Sequence, residues 1–165
     1  KGADQMSSEQ NRQETLAALE DYEDDALAFK RAMGDSLDPE DEDDAAVIAR
    51  LTDLGVEDYS EADDVQGRLD EYAPCPSSSI KDAAEVRLIF STGGPHYELR
   101  WTQDGYRAER PWFLSLPWYD RVEVRSIGPG LTWLAEHTAE YVEVSKLSGF
   151  DPDYEPEEDD VEEDD

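Results

Sequence analysis

Carboxylates dominate the chemistry this sequence offers. Glu20, Asp21, Glu23, Asp24 and Asp25 fall within six residues, Glu40 to Asp44 form an unbroken run of five, and Glu57, Asp58, Glu61, Asp63 and Asp64 lie within eight. On a helix, residues three or four apart hold their Cβ atoms about 5–6 Å apart. Rows of carboxylates at that spacing imitate a phosphate backbone, which carries roughly one charge per 3.4 Å of each strand. A protein built to bind nucleic acid already has the Lys and Arg to receive them. On this reading the contacts are Glu20, Asp21, Asp24, Asp25, Asp41, Asp43, Asp44, Asp63 and Asp64. The competing reading is a solvated acidic face, or adaptation to high salt, which predicts acids spread over the whole surface.

Other residue patterns carry less. Asp151, Asp153, Glu155 and Glu157 alternate like calcium ligands, but Pro152 and Pro156 do not fit a loop that needs Gly at its sixth position. Ser91-Thr92-Gly93-Gly94-Pro95 lacks the Lys-Ser/Thr ending of a phosphate loop and leads into a strand, so it reads as a turn. His96 and His137 have no Cys or second His at metal spacing, and a structural or surface role is expected for each. No nucleophile elbow or ordered Ser-His-Asp motif occurs. The chain is therefore read as a non-enzyme, with no metal and no cofactor. Trp101, Trp112, Trp118, Tyr119 and Trp133 read mainly as core. The proline-flanked pairs Trp112-Phe113 and Trp118-Tyr119 are candidate interface anchors, with Trp112 and Trp118 as the contacts.

Charge narrows the partners. The 165 residues hold 44 acids against 14 bases, a net charge of -30. Nucleic acid and anionic membranes are poor partners because like charges repel, whereas a basic protein surface fits. Residues 1–75 hold 23 acids and 6 bases, residues 76–150 hold 10 and 8, and residues 151–165 hold 11 acids and no base. The near-neutral middle speaks against an even halophilic coat. The low Lys count, four against ten Arg, speaks mildly for one. A lone Cys75 excludes an intramolecular disulfide framework, the stretch Lys1 to Glu14 has no signal-peptide core, and no apolar run approaches the ~18 residues of a membrane span. A cytoplasmic setting is expected; no oligomeric state is implied.

The same tripartition organises the elements. In residues 1–75, Leu16, Leu19, Tyr22, Ala26, Phe29 and Met33 mark a helix stripe, with Gly34 as its stop. Asp38 to Asp44 reads as a loop. A second helix is expected from Asp44 to Leu54 with Gly55 as C-cap. A third opens at Ser60 with Asp63 as capping-box partner and ends before Pro74. Residues 75–82 read as a Ser/Pro linker. Val86 to Phe90, Tyr97 to Thr102, Tyr106 to Arg110 and Val122 to Arg125 read as strands of an antiparallel meander, with Pro111 and Pro117 arguing against a long strand between them. After Gly128-Pro129-Gly130 a last helix carries Leu131, Leu134, Ala135, Thr138, Tyr141, Val142 and Ser145 on one face and ends at Gly149. The tail, 151–165, has almost nothing to bury and reads as solvated.

The expected fold is α+β: an acidic helical region (1–75), an antiparallel sheet with a C-terminal helix (76–150) and an acidic tail (151–165). In combining acidic helices, a small meander and an acidic tail, the chain resembles the DNA-mimic inhibitors of phages and mobile elements, of the antirestriction and anti-CRISPR type. The strand–turn–strand unit from Val86 to Trp101 is similar to small phage proteins. The first resemblance implies inhibition without catalysis, by occupying the nucleic-acid groove of a basic protein such as a CRISPR effector or restriction enzyme in a bacterial or archaeal host. The alternatives are an acidic chaperone or adaptor for a basic protein, and a halophilic globular domain.

Overall fold

Alternation along the strands decides which side of the sheet is buried. Val86, Leu88 and Phe90 occupy every second position of one strand, as do Tyr97, Leu99 and Trp101 of the next. Successive strand residues point to opposite faces, so each set lines one side. A computed structural model describes residues 2–80, 83–91, 96–116 and 121–142. Helices α1 (Gly2–Gly34), α2 (Glu42–Asp53) and α3 (Ala62–Asp70) precede strands β1 (Cys75–Ile80), β2 (Ala83–Ser91), β3 (Tyr97–Asp104), β4 (Arg107–Ser115) and β5 (Val122–Val124), and helix α4 (Pro129–Ala139) follows. The strands form one antiparallel sheet in the order β1-β2-β3-β4-β5. The fold is α+β. Ala26 and Phe29 of α1, Leu51 of α2, Val65 and Leu69 of α3, and Leu131, Leu134, Ala135 and Ala139 of α4 join the inward sheet residues in one core cluster. One core therefore draws on residues from both sides of position 75. The acidic tail, the turn residues 92–95, Trp118, Tyr119, Ser145 and Gly149 lie outside the described residues.

Local signals account for several ends. Asp41 caps α2 by accepting from Asp44 N at 3.0 Å, so the helix starts inside the stretch expected as a loop. Gly55, at φ +97°, closes it: Gly55 N donates to Thr52 O and Val56 N to Leu51 O, both at 3.0 Å, while Leu51 and Val56 are both buried. This pair of bonds is the Schellman arrangement. For α3 the expected capping box is replaced by a turn one step earlier. Asp58 Oδ1 accepts from Ser60 N and Oγ at 2.9 and 2.6 Å, and the helix begins at Ala62.

Other expectations are overturned by long-range pairing. Residues 75–80 are not a linker but an edge strand, whose partners Ala83 to Arg87 supply the ladder; an edge tolerates Pro76 because one side of the strand needs no donor. Helix α1 continues from Leu16 back to Gly2, where the good helix formers Ala3, Gln5, Met6, Glu9, Gln10, Arg12, Gln13 and Glu14 outnumber Asp4, Ser7, Ser8, Asn11 and Thr15. Leu16 itself is 41% exposed and Thr15 takes the buried place, so the apolar stripe starts at Leu19. At the other end α4 stops at Ala139. Tyr141 N and Val142 N bond to carbonyls three residues back, which turns Val142 into the core and leaves Tyr141 69% exposed.

Strand β4 runs through Pro111. Arg100 faces Trp112 and Thr102 faces Glu109, so Arg110 and Pro111 together oppose Trp101. This is a β-bulge, where a proline costs no ladder bond. Arg110 sits at φ +53°, a conformation that favours glycine. Arg110→Gly is expected to stabilise the fold by about 0.5–1 kcal/mol, the relieved strain exceeding the entropy gained by the unfolded chain, and to raise Tm by about 1–4 °C in a thermal melt. A lower Tm would show that the Arg110 side chain contributes more than its backbone costs.

Candidate acidic interface

Three arginines hold the acidic helices together, and in doing so they take some acids out of the surface. Arg50 of α2 reaches across to α1, where Asp25 lies at 2.5 Å, Asp21 at 3.3 Å and Asp24 at 3.8 Å from its guanidinium nitrogens. Burial pushes the Asp25 carboxyl up, opposed by its bond to Arg50. Arg31 at the end of α1 pairs with Asp35 at 3.1 Å and with Asp44 of α2. Asp44 is 8% exposed; the Asp38 backbone N–H donates to it at 2.9 Å and, with Arg31, holds its carboxyl below the ordinary aspartate value. Arg68 of α3 donates to Leu54 O at 2.5 Å and lies over the Tyr72 ring.

These clamps sort the carboxylates expected as contacts. Glu20, Asp43 and Asp63 are exposed and make no ion pair among the described residues. Asp64 is half-buried in the first turn of α3, and Asp41 is exposed while its side chain caps α2. Asp24 and Asp21 are exposed at the edge of the Arg50 clamp. Asp25 and Asp44 are structural, committed to arginines inside the helical layer. Glu40, Glu42, Glu57 and Glu61 join the exposed set, again with no ion pair among the described residues.

Trp112 is not an exposed anchor. It is 6% exposed on the face of the sheet turned away from the helices, with the Arg125 guanidinium 4.2 Å from its ring centroid. Among the described residues its Nε1 has no hydrogen-bond partner. On that face Arg87, Arg100 and Trp112 form one cross-strand row, and Ile89, Glu98, Leu114 and Glu123 the next. Glu98 is fully buried. It receives Arg100 Nε at 2.7 Å and Arg87 Nη1 at 3.1 Å, and contacts His96. Burial pushes its carboxyl up, but the bonds from His96 and Arg100 and the charges of Arg100 and Arg87 outweigh that, and it lies below the ordinary glutamate value.

Arg100 pairs across the sheet with Glu85 at 2.9 Å, whereas Arg121 and Arg125 pair with Glu123 beside them on the chain. Arg107 and Arg110 make no ion pair among the described residues. Sequence reasoning missed Glu98. The signal was its place between Tyr97 and Leu99, which sets it opposite the core and beside Arg100. It also missed Glu23, whose carboxylate accepts Gly130 N at 2.5 Å and Leu131 N at 2.9 Å at the start of α4.

Among the described residues no group of three His, Cys, Asp or Glu is placed to hold a metal ion, and no helix is long and apolar enough to cross a membrane. What the site defines is a class: an α+β domain with an acidic helical layer. Compared with known protein families, curated proteins and solved structures, the chain matches none.

Proposed function

We propose that the chain is a non-catalytic inhibitor whose helical layer stands in for nucleic acid in the groove of a basic nucleic-acid-binding protein, such as a CRISPR effector or a restriction enzyme. The observation that carries this reading is the division of labour among the carboxylates. Arg31 and Arg50 are drawn between the helices, where they engage Asp44, Asp25 and their neighbours, while Arg68 ties α3 to the Leu54 carbonyl. The outer carboxylates of Glu20, Glu40, Glu42, Asp43, Glu57, Glu61 and Asp63 are exposed and make no ion pair among the described residues. An arginine-lined groove gains from such a surface because counterions leave it on binding, and that gain falls as salt rises.

A pull-down from host lysate at low salt is expected to recover a nucleic-acid-binding protein, and duplex DNA is expected to displace it. Recovery of no such protein, or a complex indifferent to DNA, overturns the proposal; indifference is the behaviour of an adaptor. A halophilic domain would instead lose its fold at low salt. The fourfold variant Glu20→Gln, Asp24→Asn, Asp43→Asn, Asp63→Asn is expected to bind the recovered partner about tenfold more weakly, since each exposed ion pair contributes about 0.2–1 kcal/mol. Its affinity should also depend less steeply on salt. The measurement is a titration at several ionic strengths, and unchanged affinity and slope would sink the idea.

A further inference from the structure

A cavity of about 480 Å³ opens between the end of α1 and α4, lined by Leu27, Lys30, Met33 and Gly34 on one side and Trp133 and His137 on the other. Its volume falls within the roughly 300–1,000 Å³ of small-molecule sites, which are mostly apolar with a few placed polar groups. The apolar wall here is rigid on one side and adaptable on the other. Trp133 stacks on His137 with ring centroids 4.8 Å apart. His137 is held in turn by Gln66, whose Oε1 lies 2.7 Å from Nε2, and the Gln66 amide nitrogen donates to Asp70. With the amide oxygen facing the ring, Nε2 carries the proton. Opposite stands Met33, an unbranched side chain that adjusts to irregular shapes.

The cavity's charge differs from the rest of the molecule. Arg31 and Asp35, also in its wall, pair with each other at 3.1 Å. Lys30 makes no ion pair among the described residues. Its helix neighbours at three and four residues' distance are Ala26, Leu27, Met33 and Gly34, so no acid stands where an intrahelical pair would form. In a chain of net charge -30, an ammonium beside an apolar cavity is a local exception. Long-range repulsion of an anion by the distant carboxylates is screened beyond about 8 Å at physiological salt, so at contact Lys30 prevails.

We propose that this cavity binds a small molecule with a flat apolar body and one carboxylate, the carboxylate on Lys30 and the body against Leu27, Met33 and Trp133. The site is separate from the acidic surface and independent of what that surface binds.

The test uses the full chain with 13C-methyl methionine. The sequence has two methionines, Met6 and Met33, so the second serves as an internal control. Titration with 2-naphthoate at physiological salt is expected to shift the Met33 methyl saturably and leave Met6 unmoved. The neutral 2-naphthalenemethanol is expected to bind about fivefold more weakly, and Lys30→Gln to bring naphthoate down to the same level, the scale of an exposed ion pair. Gly34→Phe is expected to abolish the shift by filling the cavity. A Cβ at Gly34 meets nothing within 4 Å, so this variant is expected to keep its fold, which a thermal melt beside the parent reports. The proposal is overturned by a Met33 methyl that does not saturate, by equal affinity for acid and alcohol, or by either variant binding naphthoate like the parent.

Discussion

Glu98→Gln is expected to cost about 3–5 kcal/mol of stability, read as a lower urea midpoint at unchanged slope. Glu98 is fully buried, and its two oxygens receive Arg100 Nε at 2.7 Å and Arg87 Nη1 at 3.1 Å. A neutral amide leaves Arg87 without its carboxylate and Arg100 with Glu85 alone. Arg100 cannot recover its water, since its side chain is 11% exposed. Arg87, at 32%, recovers part, which places the expectation toward the lower end. The triple replacement Glu98→Leu, Arg87→Met, Arg100→Met removes the buried carboxylate and both arginines together and should cost less than the single change, because Glu85, the remaining partner of Arg100, is 29% exposed and regains water.

The pH dependence has a definite sign. A carboxyl held below its ordinary value gives stability that is complete above the unfolded-state value, about 4.3, and is lost as pH falls through the folded-state value. The difference between parent and Glu98→Gln should therefore be flat above about pH 5 and shrink on acidification below about pH 4. A single-variant loss under about 1 kcal/mol, the size of an exposed pair, would show that the cluster is solvated rather than buried.

Gly130→Ala is expected to be the second most damaging change, at about 2–3 kcal/mol. A Cβ there would lie 2.7 Å from the Glu23 carbonyl oxygen and 2.9 Å from Leu27 Cγ. The first neighbour is backbone of a long helix and cannot swing aside, so α4 must move off α1. That movement also breaks the cap in which Glu23 accepts Gly130 N and Leu131 N. Glu23→Gln keeps an acceptor but loses the charge at the helix N-terminus, and should cost only about 1 kcal/mol. Gly34→Ala is the control: nothing lies within 4 Å of its Cβ, so it should be neutral or mildly stabilising. Equal thermal midpoints for Gly130→Ala and Gly34→Ala would show that the close approach of α1 and α4 is not what requires glycine.

These two sites mark where reading residues in order stops. Gly128-Pro129-Gly130 reads correctly as a break before a helix, yet the reason Gly130 must be glycine is Glu23, 107 positions earlier. Asp25 and Asp44 are indistinguishable in sequence from Asp24 and Asp43; only the approach of Arg50 and Arg31 draws them inward. The edge strand at Cys75–Ile80 looks like a linker because Ser and Pro have low strand preference, and its pairing with β2 overrides that preference. Pro111 looks like a strand end because the bulge that accommodates it depends on β3.

Whatever depends on near neighbours could be read from the order of residues: the 3.6-residue stripes of α1 to α4, the Gly55 stop, the alternation of β2 and β3, the α+β class and the segregation of acid into the helical part. Hydrogen bonds to residues three to five away, and the side on which successive side chains emerge, are set within one short stretch. Which carboxylates face out, which acid is buried under arginines, and which glycine is required are set by packing. Each of those depends on distances between groups far apart in the chain, and such distances exist only once the helices have packed on the sheet.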